Sequence, residues 1–108
     1  MWIFVSGGFL SVVAHRTQPD GLLVRARHPE HIRAVFSEAE LIHMPGADYP
    51  YRTVVSRDAV QTAMINQIQT MTYDNFKASI DDVEYHDACL DIWRTMWAYG
   101  YHHRQEGV

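Results

Sequence analysis

The sequence has almost no cysteine, since Cys89 is the only one among 108 residues. A disulfide within the chain is therefore impossible, and zinc motifs built from several cysteines are excluded. Cys89 lies among apolar residues with helical spacing, which is more typical of a packed side chain than of a nucleophile. Nothing in the cysteine usage indicates an oxidising compartment, so we expect a cytoplasmic protein.

A long hydrophobic run is also missing. The apolar stretch MWIFVSGGFLSVVA has no basic residue before it and is interrupted by Ser6-Gly7-Gly8, unlike a secretory signal peptide. No segment reaches the roughly 18 apolar residues that a membrane-spanning helix needs. We therefore expect no membrane association and interpret this stretch as a β-hairpin.

Positive charge is scarce and unevenly placed. Nine Lys and Arg residues against 13 Asp and Glu residues give a net charge of −4, which makes nucleic acid an unexpected partner. Residues 1–57 nevertheless contain six arginines and five acids, whereas residues 58–108 contain three basic residues and eight acids. A local basic patch in the first half is compatible with this composition.

The chain contains 47% hydrophobic and 20% charged residues, which is typical of globular proteins. Its length predicts one domain covering residues 1–108. β-Rich runs predict strands over residues 2–5, 9–15, 22–26, 41–44 and 51–55. Apolar residues three and four apart predict helices that begin near Pro29, after Ser56, after Thr72 (residues 73–80) and at Val83 (residues 83–101). This order predicts an α+β fold: a small, mainly antiparallel sheet of four to five strands, helices packed on one face, and a long C-terminal helix.

Two helices carry apolar stripes that we expect to be buried. The stripe of the helix after Ser56 comprises Val60, Met64, Ile68 and Met71. The stripe of the last helix, expected to face the sheet, comprises Tyr85, Ala88, Cys89, Ile92, Trp93, Met96 and Tyr99. Asp81, with Glu84 three residues later, resembles a capping box at the start of that helix.

The runs GFLSVVAHR, LLVRAR, GADYPYRTVV and YDNFK resemble a family of short proteins from actinobacteria and their bacteriophages. The resemblance covers about residues 1–97. It implies a setting in an actinobacterial cytoplasm or in a phage-infected cell. It brings with it no activity, cofactor or catalytic residue.

A second side of the last helix is the first candidate site. Leu90, Trp97 and Tyr101 lie together beside Arg94, away from the centre of the buried stripe. Trp, Tyr and Arg are the residues most enriched at the centres of protein–protein interfaces. The sequence therefore predicts an interface here, unless a neighbouring helix covers these residues.

The polar side of the sheet is the second candidate. If the strand register cooperates, Ser11, His15, Arg25 and Arg27 lie together with either Tyr51 or Arg52. The candidate anion-binding residues are His15, Arg25, Arg27 and Arg52. Arginines bind phosphate or carboxylate, and a nearby histidine supplies acid–base chemistry near neutral pH. The alternative is that these arginines are solvated charges paired with neighbouring acids.

Two weaker patterns complete the candidates. Tyr49 and Tyr51 flank Pro50 in a loop, where aromatic residues serve recognition or cover the edge of the core. His28 and His31 have the spacing of a helical metal pair but no third ligand, so we expect neither a metal nor a cofactor.

The leading functional hypothesis is a small non-enzymatic interaction protein, encoded by a phage, that binds a host protein or self-associates through its last helix. The alternative is a phosphate-directed domain, either a nucleotide or RNA binder or a weak metal-free nuclease, that uses the histidine and arginine patch.

Overall fold

The computed structural model describes the backbone of residues 1–106 and the side chains of residues 1–103. The chain divides into two compact units, Met1–Thr72 and the part from Tyr73 onward. The expectation of a single domain stays a prediction.

The first unit contains a five-stranded antiparallel sheet in the order β1-β2-β3-β5-β4. Its strands are β1 (Trp2–Val5), β2 (Gly8–Ala14), β3 (Gly21–Ala26), β4 (Ile42–His43) and β5 (Tyr51–Ser56). The helices of this unit are α1 (Pro29–Arg33) and α2 (Arg57–Gln69). The antiparallel α+β prediction is thereby confirmed, and β4 is a two-residue edge strand.

The register gives the sheet two faces of different chemistry. Val12 pairs with Val24, and Val24 pairs with Thr53, so alternate residues of β2, β3 and β5 point the same way. This inner face forms the core with one side chain from each helix; its buried members are Leu10, Val12, Val24, Ala26, Ile32 and Val60. Both helices of the unit therefore pack on the inner face, as predicted.

Helix α1 is held against β2 by a close approach at Gly8. The backbone N–H of Phe9 donates a hydrogen bond to His31 Nδ1 at 3.2 Å. A Cβ atom on Gly8 would lie 2.6 Å from His31 Cβ, which is closer than van der Waals contact allows. Glycine is therefore required at position 8 for lack of space.

Three of the predicted helices differ from those in the structure. Helix α1 ends at Arg33, although Val35, Phe36 and Ala39 still pack on the core through the turns that follow. In α2, Val60 and Met64 pack on the core, whereas Ile68 and Met71 are exposed because the core ends after two turns of the helix. The helix predicted over residues 73–80 is only a short 3-10 turn, Lys77–Ser79.

The second unit is built around α3 (Val83–Glu106), the long C-terminal helix that the sequence predicts. Its N-terminal cap is Asp82 rather than Asp81, because the N–H of Tyr85 donates to Asp82 Oδ1 at 3.0 Å. The ammonium nitrogen of Lys77 lies 4.9 Å from the centre of the Trp93 ring, so the short turn and the helix contact each other.

We predict that Gly8→Ala destabilises the protein, because the added methyl group collides with His31. Overpacking of this kind costs about 1–3 kcal/mol of unfolding free energy. Gly100→Ala is the matched control, since nothing lies within 4 Å of its Cβ position and it lies inside α3. Replacing a helical glycine by alanine adds about 1 kcal/mol of stability. Urea unfolding of both variants measures the difference, and equal stabilities would contradict the steric argument.

Candidate functional site

One row of side chains crosses the outer face of the sheet, on the side away from the core. The register pairs Ser11 directly with Arg25 and Arg25 directly with Arg52. Trp2 of β1 continues the row beyond Ser11, and Ile42 of β4 continues it beyond Arg52. Neighbouring members are separated by one strand spacing, about 4.8 Å. This row thus brings Arg25 and Arg52 of the predicted anion patch together beside the expected serine, and Arg27 meets Arg25 at the Tyr49 ring.

Tyr49 fixes the positions of the guanidinium groups on this face. The guanidinium carbon of Arg25 lies 4.7 Å from the centre of the Tyr49 ring, and that of Arg27 lies 4.4 Å away. Arg25 Nη2 donates a 2.7 Å hydrogen bond to Ser11 Oγ. Arg52 Nε donates to the backbone oxygen of Tyr49 at 3.2 Å. Each arginine is therefore held by contacts that leave other N–H groups without a protein acceptor.

Arg27 differs from its two neighbours because it is paired with an acid. Its Nη2 lies 2.9 Å from Asp48 Oδ1, and this hydrogen bond raises the pKa of Arg27 above its ordinary value. Among the described side chains, no carboxylate lies within ion-pair distance of Arg25 or Arg52. The Nε of Arg25 is buried and has no hydrogen-bond partner. Two like charges directly opposite each other in a sheet repel, so this pair is a candidate site for an anion.

An aromatic cluster adjoins the arginine row on the same face. The rings of Phe4 and Phe9 are stacked with centroids 4.6 Å apart, and Trp2 meets Phe9 edge to face at 5.8 Å. Trp2 is 70% exposed, so its indole is available for further contacts. Sequence reasoning missed this cluster, although the alternation of Trp2 with Phe4 and of Phe9 with Ser11 contains the signal. The missing information was the register between β1 and β2.

His15 does not join the arginine patch, contrary to the prediction. Its Nδ1 accepts hydrogen bonds from the backbone N–H groups of Thr17 and Gln18, at 3.2 and 3.1 Å. His15 follows the last residue of β2 and is four residues from Ser11. Its ring accepts the backbone hydrogen bonds of the turn that leads into β3. The patch therefore lacks the acid–base group that the nuclease alternative needs.

The two tyrosines of the loop hypothesis lie on different faces. Tyr49 is 6% exposed and its ring is covered on the outer face. Tyr51 lies on the inner face, where it packs against the core and stacks on His43 at 4.7 Å. The loop therefore does not present the two rings as one recognition surface.

The histidine pair of α1 is partly engaged in structural contacts. The rings of His28 and His31 are 5.3 Å apart, but His31 Nδ1 accepts the N–H of Phe9. Within the described residues, no group of three side chains has the arrangement of a metal site.

The open groove beside β5 contains little reactive chemistry. It has a volume of about 750 Å³ and is lined by residues 35–42 and 53–55. Its ionisable members, Glu38 and Glu40, are both exposed. The groove therefore does not replace the outer face as a candidate site.

The second half of α3 is a surface of exposed apolar side chains. The stripe predicted to be buried is buried only at Tyr85 and Cys89. Beyond them, six large apolar side chains are 42–59% exposed: Ile92, Trp93, Met96, Trp97, Tyr99 and Tyr101. The prediction of a buried stripe is thus wrong beyond Cys89. The short turn at Lys77–Ser79 contacts the helix at Trp93 through Lys77, and that ring is still 51% exposed.

The predicted interface residues lie on this surface. Trp97 and Tyr101 stack on each other with ring centroids 5.3 Å apart and planes 7° apart. Leu90 is partly buried. Arg94 pairs with Asp91 on the same helix, Nη1 to Oδ1, at 3.6 Å. Of the predicted interface residues, Trp97 and Tyr101 are the aromatic ones, and they are 59% and 42% exposed.

Comparisons with protein families, with curated proteins and with solved structures found no match. In the part of the chain that the structure describes, no helix has both the length and the apolar character needed to cross a bilayer.

The environment of Cys89 is that of a packed thiol. Burial is the largest cause that raises the pKa of the Cys89 thiol above its ordinary 9.0, and burial likewise raises the pKa of the Tyr85 hydroxyl above 10.0. A thiol that is harder to ionise is a poorer nucleophile at neutral pH. The thiol is therefore a structural group and not a reactive one.

We predict that the protein loses stability at alkaline pH. In the unfolded chain Cys89 and Tyr85 ionise near their ordinary pKa values, whereas the folded chain keeps both protonated. The contribution of these groups is therefore fully present below about pH 9 and is lost as the pH rises towards the raised values. Urea unfolding at neutral pH and at about pH 10 measures this loss. We expect Tyr85→Phe, which keeps the ring, to show a smaller loss than the wild type; an identical loss would contradict the assignment.

Proposed function

We propose that the chain is a non-enzymatic interaction protein that associates with a second copy of itself through α3. The observation that carries this proposal is the exposure of six large apolar side chains between Ile92 and Tyr101. Contiguous apolar surfaces of this kind on soluble proteins mark interaction sites. Tryptophan and tyrosine supply much contact area for little loss of conformational entropy, which suits them to the centre of an interface.

The apolar area is sufficient for a specific dimer. A half-exposed aromatic side chain offers roughly 80 Å² for burial. Four such aromatic side chains, together with Ile92 and Met96, offer at most roughly 1,000 Å² in total over two copies, which is the lower bound for a specific interface. Contacts from neighbouring polar side chains add to this area.

The charges of the helix favour an antiparallel arrangement of the two copies. Residues 81–91 contain five acids and no Lys or Arg, whereas residues 92–103 contain Arg94, two histidines and no acid. A parallel pair would place the two acidic segments side by side. An antiparallel pair places the acidic segment of each copy beside the more basic segment of the other, which complementary interfaces favour.

The same surface is the site for a host protein if the partner is not a second copy. The resemblance to actinobacterial and phage proteins supports that alternative. The same resemblance and the single buried thiol support a cytoplasmic setting. Self-association is the preferred proposal because the charge pattern of α3 is complementary to itself.

We predict that Trp97→Glu dissociates the dimer, because it places a charge at the centre of the apolar surface. A residue at such a centre contributes at least 2 kcal/mol, which corresponds to about a 30-fold increase in the dissociation constant. Thr95→Glu is the control for the added charge, since Thr95 lies opposite Trp97 on α3 and at the edge of the apolar surface, near Ile92 and Tyr99. It should weaken association less than Trp97→Glu does. Sedimentation equilibrium measures association, and circular dichroism confirms that both variants fold.

The outcomes separate the two partners clearly. A wild-type dimer that Trp97→Glu dissociates and that Thr95→Glu weakens clearly less supports self-association through this surface. A wild-type monomer at concentrations up to about 1 mM, where ~4 kcal/mol of binding free energy would already be detected, overturns it in favour of the host-protein alternative.

A further inference from the structure

We infer that the outer face of the sheet binds a short segment of single-stranded nucleic acid, with a backbone phosphate between Arg25 and Arg52 and a base stacked on Trp2. This site lies in the first unit and uses none of the residues of the α3 surface. It is therefore independent of the proposed self-association, and each can fail without the other.

The phosphate subsite follows from the charge and geometry of the two arginines. Arg25 and Arg52 are direct cross-strand partners, and no described carboxylate neutralises either of them. Each is anchored by one hydrogen bond, to Ser11 Oγ and to the Tyr49 backbone oxygen respectively. Their remaining N–H groups are held in place before any ligand arrives, and guanidinium groups match the geometry of phosphate oxygens. A bound phosphate also relieves the repulsion between them.

The base subsite follows from Trp2. Its indole is 70% exposed and is supported from one side by the edge-to-face contact with Phe9. Trp2 is in the same row as Arg25, two strand spacings away, which is about 10 Å. A base stacked on the indole and its neighbouring phosphate fit this separation. Stacking on aromatic side chains is how proteins hold single-stranded bases.

The shape of the face favours an extended strand over a free nucleotide. Small ligands bind in concave pockets that enclose most of their surface. The row from Trp2 to Arg52 does not line the groove beside β5, which residues 35–42 and 53–55 form. Trp2 is 70% exposed and Arg25 and Arg52 are partly exposed, whereas Ser11 between them is buried. A duplex hides its bases inside the stack and offers none to Trp2. The geometry therefore selects a strand with accessible bases.

The acidic net charge is compatible with this site. Residues 1–72 contain six arginines and six acids, so the first unit is neutral as a whole. Three of the six arginines, Arg25, Arg27 and Arg52, lie around Tyr49 on or beside the outer face. Binding through one phosphate is modest and depends weakly on salt. The expected slope of log K against log salt concentration is about −0.7, since each neutralised phosphate of a single strand contributes roughly that amount.

The test is fluorescence anisotropy with labelled oligo(U) and oligo(dT), titrated with the full-length protein at several salt concentrations. We expect both probes to bind, and a preference for one identifies RNA or DNA as the natural source. Arg52→Gln removes one of the two arginines that hold the phosphate, so it should weaken binding about 10-fold and make the salt slope shallower than that of the wild type. Trp2→Ala removes the stacking, so it should weaken binding roughly 5- to 100-fold with the slope unchanged.

Arg16→Gln is the matched control, because Arg16 is an exposed arginine in the β2–β3 turn and its loss changes the net charge equally. It should bind like the wild type. Circular dichroism melts show whether each variant is folded, and Arg52→Gln is preferred to Arg25→Gln because Arg25 has the buried Nε. No binding of either probe at low salt overturns the inference. So does equal weakening by Arg16→Gln and Arg52→Gln, or competition by AMP or inorganic phosphate as strong as that by unlabelled oligomer.

Discussion

The register between β2, β3 and β5 is the constraint on which both faces of the sheet depend. Because side chains alternate along a strand, a slip of one residue in β3 would turn Arg25 into the core and Val24 into solvent. In the observed register Val24 is fully buried and Arg25 lies between Ser11 and Arg52. The apolar demand of the inner face therefore determines the arrangement of charges on the outer face.

Contacts with Tyr49 restrain the guanidinium groups in that arrangement. Arginine side chains on an open sheet have many rotamers, and ordering each one costs up to about 2 kcal/mol. The Tyr49 ring contacts two guanidinium groups, and its backbone oxygen accepts a hydrogen bond from Arg52. Much of the ordering is thus completed during folding, which leaves less entropy to be lost when an anion binds.

Most strands and the long helix could be predicted from the sequence, whereas the side chains that come together could not. The reasons are physical. Alternation in GLLVRAR predicted β3 and its two faces, because the period of a strand is a local property. Convergence of Arg25 with Arg52 and the separation of His15 depend on register and on a turn hydrogen bond, which are not local. The buried stripe of α3 failed beyond Cys89 for a related reason. Helical periodicity identifies which residues share a side but not whether anything packs against that side.

Helix α3 is much longer than the segment that precedes it in its unit, and this difference in length leaves part of the helix exposed. Its 24 residues extend about 36 Å, since each residue rises 1.5 Å. The preceding segment of its unit contains one 3-10 turn, at Lys77–Ser79, and contacts the first part of the helix. Trp97 and Tyr101 stay 59% and 42% exposed. Intrinsic propensity contributes little to keeping a long helix folded compared with burial of its apolar side. In the proposed dimer, a second copy would supply that burial to the exposed side chains of α3.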